Sequence, residues 1–133
     1  YLVNTSRSFI FSTALSPADI GAALAALHIL ETDASVLGRL QENVNYMADK
    51  LTSMGIDATN ETPIFPILIG SNEDTLAVSD YLYESGIIGT AIRPPTVPIG
   101  ESRIRLTVTA AHNKEQIDYV CHTLHKAMKQ LNL

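Results

Sequence analysis

Apolar residues recur every three or four positions in two stretches of the first half of the chain, the spacing of helices with one buried face. The first stretch follows Ser16 and Pro17, residue types favoured at the N-cap and in the first turn of a helix. The second stretch ends at Gly55, a residue type that suits the position just after a helix. The apolar positions of the two predicted helices are Ile20, Ala23, Leu24, Leu27 and Leu30, and Val36, Leu40, Val44, Met47, Leu51 and Met54.

Two further helices are predicted in the second half of the chain. One is capped near Ser71, runs to about Ser85 and stops at Gly86. The other follows Asn113 and Gln116, which have the spacing of a capping box. The apolar positions of this last helix are Ile117, Val120, Cys121, Leu124, Met128 and Leu131.

Apolar runs typical of strands lie between these helices. The run over residues 63–70 contains Pro63 and Pro66, which cannot donate to a sheet ladder, so we expect either an edge strand or prolines confined to the first residues of the strand. Two more runs, over residues 86–92 and 103–108, flank a proline-rich segment. This order of elements predicts an α+β fold, with helices packed on one face of a small, mainly antiparallel sheet.

Composition narrows the class of protein. The 133 residues suit one compact domain, and the formal charge of -5 argues against nucleic acid as a partner. The single Cys121 cannot form an internal disulfide, which favours a reducing, cytoplasmic location. No apolar run approaches the roughly 18–20 residues of a membrane span, so no membrane partner is expected. Because the chain starts at Tyr1 rather than Met, we expect it to be a piece of a longer protein.

The proline-rich segment, residues 93–98, is the most distinctive local feature. Its three prolines fix the backbone at three points and remove three donors, so the segment is expected to be a rigid, extended loop. We call it the proline loop. Arginines at positions 93, 103 and 105 lie in it or beside it. Guanidinium groups on a stiff frame indicate the capture of an anionic group such as a carboxylate.

Three motifs together resemble the α-oxoamine synthases over essentially the whole chain: residues 9–17 (FIFSTALSP), 93–98 (RPPTVP) and 103–112 (RIRLTVTAAH). These are pyridoxal 5'-phosphate (PLP) enzymes of the aspartate-aminotransferase fold type. The resemblance implies that residues 1–133 form the small C-terminal domain of a fold-type I enzyme, with residues 1–15 connecting from a large cofactor domain. It also implies a decarboxylative condensation of an amino acid with an acyl-CoA. The biotin-pathway reaction of alanine with pimeloyl-CoA is expected, and the reaction of glycine with acetyl-CoA is the alternative.

The resemblance assigns substrate-binding roles to residues in and after the proline loop. Arg105 matches the family arginine that holds the carboxylate of the amino acid, and its side chain is expected to face opposite to that of Arg103. Thr96 matches a threonine that contacts substrate, although a turn threonine bonded to its own backbone is an equal alternative. Arg93 either meets the acyl substrate or braces the loop. No residue of the chain is predicted to be catalytic.

The resemblance also assigns a cofactor contact. Ser12 matches a hydroxyl that reaches the PLP phosphate of the neighbouring subunit, and the backbone N–H of Thr13 is expected to join it. The active site is therefore expected to need a homodimer. The alternative is that Ser12 and Thr13 only shape the approach to the next helix.

The Schiff-base lysine of the family has no counterpart in the chain. Lys50, Lys114, Lys126 and Lys129 lie on predicted helices in ordinary polar surroundings. We therefore expect the 133-residue chain alone to be inactive and to bind no PLP. His112, at a strand–helix junction, is expected to make a structural hydrogen bond, and no metal-ligand set is present in the sequence. A function from another class, a stand-alone ferredoxin-like ligand-binding module, remains as an alternative.

Overall fold

The computed structural model describes residues 1–6, 15–58 and 62–133. The chain divides into two compact units, Tyr1–Ala34 and Ser35–Leu133. The first unit contains the short helix α1 (Leu2–Thr5) and the helix α2 (Pro17–Thr32). As the sequence predicts, Ser16 is the N-cap of α2, and its hydroxyl accepts a hydrogen bond of 3.2 Å from the backbone N–H of Ala18. Every residue of α2 is exposed, including the apolar positions predicted to form its buried face.

The second unit holds the sheet and the helices that cover it. Its elements are α3 (Ala34–Ser53, whose first residue belongs to the first unit), β1 (Ile64–Gly70), α4 (Asn72–Glu84), β2 (Thr90–Ile92), β3 (Ser102–Thr107) and α5 (Lys114–Gln130). Among the described residues, no single helix is long and apolar enough to cross a membrane. By length and composition alone, α2 and α3 meet that criterion only when they are counted together.

The sheet has three antiparallel strands in the order β1-β3-β2. The strand β1 lies at an edge, one of the two alternatives expected from its prolines, and β3 lies in the centre. Helix α4 packs against all three strands and against α5. The predicted α+β class, with helices on one face of a small antiparallel sheet, is confirmed.

Alternation along β3 separates the core from the outer surface. Ser102, Ile104 and Leu106 are buried, whereas Arg105 and Thr107 are exposed. The core formed by the helix-covered face consists of Val44, Met47, Leu51, Ala58, Phe65, Ile67, Val78, Leu82, Ile87, Ile104, Leu106, Val108, Ile117, Cys121, Leu124 and Ala127. Cys121 is buried, and this burial raises the pKa of its thiol to about 11. Because a thiol with so high a pKa stays protonated, Cys121 contributes to packing rather than acting as a nucleophile.

The second strand is shorter than the sequence predicts. Residues 86–92 were expected to form it, but only Thr90–Ile92 pairs with β3. Gly86 has a positive φ of 78° and ends α4 in a turn, with its N–H bonded to the Tyr83 carbonyl. Ile87 is buried without being in the ladder. The apolar residues before β2 therefore fill the core from a turn.

A polar cluster on the surface links α3 to α5. The Lys50 Nζ lies 2.7 Å from Asp118 Oδ1, and the Tyr46 hydroxyl donates to the same carboxylate at 2.9 Å. The hydrogen bond from Lys50, followed by that from Tyr46, lowers the pKa of Asp118 from its ordinary value. The hydrogen bond to Asp118 is likewise the main cause of a raised pKa for Lys50. Both directions indicate that the charged pair is favoured in the folded chain.

Replacing Asp118 with Asn is expected to lower the free energy of unfolding at pH 7, and to lower it by less at pH 3. A carboxyl with a depressed folded pKa stabilises the fold above its unfolded pKa, here near 3.8, and that stabilisation is lost as the pH falls through the folded pKa. The effect will be small because both side chains are over two-fifths exposed. Urea unfolding of the chain at the two pH values measures it. The matched control is Asp49→Asn, at an exposed carboxylate beside Lys50 on α3; an equal loss in both variants would contradict the prediction.

Candidate functional site

The sheet has an open face, opposite to the core. Cross-strand partners share a face in antiparallel sheets, so the register identifies its members. Arg105 stands between Pro66 of β1 and Thr90 of β2, and Arg103 stands between Leu68 and Ile92. With the remaining partners, the open face consists of Ile64, Pro66, Leu68, Thr90, Ile92, Arg103, Arg105 and Thr107.

Arg105 is the cation at the centre of this face. Its side chain is exposed, and no hydrogen bond or ion pair joins it to another residue in the described part of the chain. Five N–H donors of a fixed planar group are therefore available to a ligand. A planar carboxylate matches two of these donors at once, so the geometry suits bidentate carboxylate binding.

Arg103 lies on the same face as Arg105, so the prediction that the two point to opposite faces is wrong. Residues two positions apart in a strand share a face, and the pairing of β3 with both neighbours shows this directly. The Arg103 side chain is engaged with Glu101. Its Nε donates to the Glu101 carbonyl at 2.9 Å, and its Nη2 lies 2.9 Å from the Glu101 carboxylate oxygen Oε2.

The proline loop begins directly after β2, whose last residue, Ile92, is the ladder partner of Arg103. Arg93 directly follows Ile92, the partner of Arg103 in the register, and its side chain is exposed. The Thr96 side chain is also exposed, and its backbone N–H donates to the Arg93 carbonyl at 3.0 Å in a turn. No hydrogen bond of the Thr96 hydroxyl occurs within the described residues, so the turn-threonine alternative receives no support from this geometry.

Polar contacts with α4 fix both ends of the segment that carries the loop. The Ser79 hydroxyl donates to the Gly89 carbonyl at 2.7 Å, just before β2. The Ser102 hydroxyl, fully buried, donates to Asn72 Oδ1 at 2.6 Å at the start of β3. A rigid helix on the core side therefore holds the strands on which the loop is mounted.

The turn after β3 is held by a residue that the sequence did not single out. Asn43 of α3 is buried, and its Nδ2 donates to the carbonyls of Thr109 at 3.0 Å and His112 at 2.7 Å. The His112 Nδ1 accepts a hydrogen bond of 3.0 Å from the Thr109 N–H. His112 thus makes a structural hydrogen bond, as predicted. Asn43 was missed because its partners lie 66 and 69 residues away, and only its place on the buried side of the helix could have suggested a role.

None of the lysines on α3 or α5 suits a Schiff base. Such a lysine needs a lowered pKa to act as a nucleophile, but the pKa of Lys50 is raised by its bond to Asp118. Lys114 lies over the Tyr46 ring at 5.3 Å, and Lys126 and Lys129 are exposed on α5. The described residues therefore do not fit covalent attachment of PLP. Ser12 and Thr13, the predicted phosphate contacts, lie outside the described residues, within which no cluster of His, Cys, Asp or Glu could hold a metal ion.

A groove of about 640 Å³ opens elsewhere in the second unit, where β3 ends and α5 begins. Its walls include Met47, Ile88, Ile117 and Tyr119. None of Arg93, Thr96 and Arg105 lines it. Instead, the side chains of these three residues are exposed.

Comparison with known proteins gives relatives along the whole chain. A putative 8-amino-7-oxononanoate synthase from Desulforudis audaxviator is 44% identical over 130 residues, which is 98% of this chain and 34% of the relative. The 8-amino-7-oxononanoate synthase from Thermoanaerobacter pseudethanolicus is 40% identical over 134 residues, with 100% of this chain and 34% of the relative covered. The chain thus spans about a third of the length of the curated relatives it matches.

Solved structures share the fold. The 8-amino-7-oxononanoate synthase from Francisella tularensis superposes with a TM-score of 0.80 at 25% identity, over 100% of this chain and 39% of that one. A serine palmitoyltransferase from S. paucimobilis, solved with a bound PLP–myriocin aldimine, superposes with a TM-score of 0.88 at 23% identity, over 98% and 34%. The family model for class I and II aminotransferases matches residues 1–124. The predicted resemblance is thereby confirmed, and the chain belongs to the class I and II aminotransferase family.

Proposed function

We propose that residues 1–133 are the C-terminal small domain of a longer PLP-dependent enzyme that joins an amino acid to an acyl-CoA with loss of carbon dioxide. Residues 1–15 would connect this domain to a large cofactor domain. The observation that carries the proposal is the exposed guanidinium of Arg105 at the centre of the open face, which has no partner among the residues that the structure describes. From the resemblance to the α-oxoamine synthases, Arg105 is proposed to hold the substrate carboxylate.

Arg105 has two tasks in the proposed reaction. A bidentate bond to the carboxylate binds the amino acid, and it also fixes the direction of the Cα–H bond from which a proton must leave. The neighbours of Arg105, Pro66 and Thr90, are short side chains that leave its guanidinium accessible. Thr96 is proposed to contact the substrate through its free hydroxyl. When bound in the longer enzyme, PLP supplies the electron-withdrawing ring that stabilises a carbanion.

The residues that attach PLP are proposed to lie outside this chain, because its described lysines do not fit that role. We therefore propose that the 133 residues alone are inactive and that the longer polypeptide works in the cytoplasm as a homodimer. In that dimer, Ser12 and Thr13 would meet the cofactor phosphate of the other subunit. Hydroxyl and backbone N–H groups are suitable partners for a phosphate.

The substrates are proposed to be L-alanine and pimeloyl-CoA, giving 8-amino-7-oxononanoate for biotin biosynthesis. Support comes from the names of relatives that are 40–44% identical and from the RPPTVP sequence of the proline loop. The alternative within the family is 2-amino-3-ketobutyrate coenzyme A ligase, which uses glycine and acetyl-CoA. Arg105 serves both reactions, because both amino acids carry one carboxylate.

Assay of a full-length polypeptide containing these residues is expected to favour alanine with pimeloyl-CoA. The amino acid and the acyl-CoA are varied separately, and product is measured by mass spectrometry together with carbon dioxide release. The 133-residue chain, tested in parallel with added PLP, is expected to give no product. Higher kcat/KM for glycine with acetyl-CoA would replace the proposed substrates by the alternative pair, and absence of any condensation would overturn the reaction class.

A further inference from the structure

Three charged residues follow one another beside and on the open face: Glu101 just before β3, and Arg103 and Arg105 on β3. Glu101, Arg103 and Arg105 follow one another at intervals of two, the spacing at which side chains share a face. Successive members are about 7 Å apart along the strand. Two cations at that spacing would attract an anion with two negative groups more strongly than an anion with one.

The carboxylate of Glu101 neutralises the charge of one of the two cations, Arg103. Arg103 donates to both the backbone carbonyl and the carboxylate of Glu101, at 2.9 Å in each case. The Arg103 side chain is 29% exposed and stands between the apolar Leu68 and Ile92. Arg105 has no such partner within residues 1–6, 15–58 and 62–133. The open face therefore presents one neutralised and one uncompensated guanidinium.

The position of Glu101 is fixed from both sides. Its N–H donates to the Pro98 carbonyl at 3.1 Å, closing a turn in which Gly100 has a φ of 86°, the conformation that favours glycine at the third position. The next residue, Ser102, is fully buried and bonded to Asn72. A carboxylate mounted on such a backbone loses little freedom when it pairs with Arg103.

We propose that Glu101 sets the charge selectivity of the Arg105 site. By neutralising Arg103 it leaves Arg105 as the one free cation among the described residues of the open face, so the site accepts an amino acid with one carboxylate and does not gain from a second. This inference rests on the proposed function of Arg105. It assigns to Glu101 and Arg103 the role of specificity-determining residues that need not contact the preferred substrate.

The test compares L-alanine with L-aspartate, which adds one carboxylate. Dissociation constants are measured on the PLP-loaded, full-length enzyme from the change in cofactor absorbance on ligand binding. Glu101→Gln is expected to shift the affinity ratio toward L-aspartate by about tenfold, the effect of one freed cation some 7 Å away at a partly solvated surface. The double variant Glu101→Gln, Arg103→Gln is expected to return the ratio to its original value.

Two results would overturn the inference: a ratio that Glu101→Gln leaves unchanged, or a shifted ratio that persists in the double variant. Equal weakening of both ligands would also overturn it, since Glu101 would then only brace the proline loop. Arg105→Gln separates this failure from failure of the proposed function. If that variant binds L-alanine as tightly as the unchanged enzyme does, the carboxylate site itself is wrong, whatever Glu101 does.

Discussion

Replacing Arg105 with Ala in the full-length enzyme is expected to lower kcat/KM for the amino acid by about 100- to 1,000-fold, because a desolvated charge pair that loses one partner costs roughly 2–5 kcal/mol. The loss has two parts. The carboxylate of the substrate loses its counter-charge, and its Cα–H bond is no longer held in one direction. The Arg105 side chain is exposed and unpaired in the described part of the chain, so its removal leaves the fold intact.

Graded variants distinguish charge from geometry at this position. Arg105→Lys keeps the cation but presents no planar fork, so it is expected to recover binding partly and orientation poorly. Steady-state kinetics would then show a smaller rise in KM than for Arg105→Ala, with kcat still low. Arg39→Ala, at an exposed arginine of α3, is the control for loss of a surface arginine. Activity of Arg105→Ala within threefold of the Arg39→Ala control would refute the assigned role.

Local signals in the sequence predicted most of the elements correctly. The first residues of α4 and α5 follow from the N-caps Ser71 and Asn113, whose side chains accept hydrogen bonds from the backbone within three residues. The edge position of β1 follows from the missing donor of Pro66. These features depend on interactions between near neighbours in the chain, so the sequence displays them directly.

Features that depend on distant partners were missed or misjudged. The length of β2 is set by its pairing with β3, which covers only three residues. No local pattern in the sequence shows where that pairing begins. The contacts of Asn43 with the turn after β3 bridge two elements from opposite ends of the unit. The same-face placement of Arg103 and Arg105 follows from their spacing of two residues in a strand, so the expectation of opposite faces was wrong on sequence grounds alone. Glu101 and Arg103 are also two positions apart, so their ion pair could have been predicted from the same spacing.

The open face and the core are two outcomes of the same alternation on β3, and this links function to stability. The side chain between the two arginines, Ile104, points the other way and is fully buried. Its cross-strand partners are Ile67 of β1 and Ala91 of β2. Added bulk at Gly89 would also meet it, since a Cβ there would lie 3.1 Å from Ile104 Cγ2. Ile104 therefore anchors the strand that presents both guanidinium groups.

Replacing Ile104 with Ala is expected to lower the free energy of unfolding by about 2–5 kcal/mol, the usual cost of truncating a fully buried aliphatic side chain. Urea unfolding of the 133-residue chain, followed by circular dichroism, measures the change. Thr107→Ala on the same strand is the matched control, because its side chain is exposed and its removal should change the free energy by less than about 0.5 kcal/mol. Equal effects of the two substitutions would mean that β3 does not alternate between core and open face, and the placement of Arg105 would fail with it.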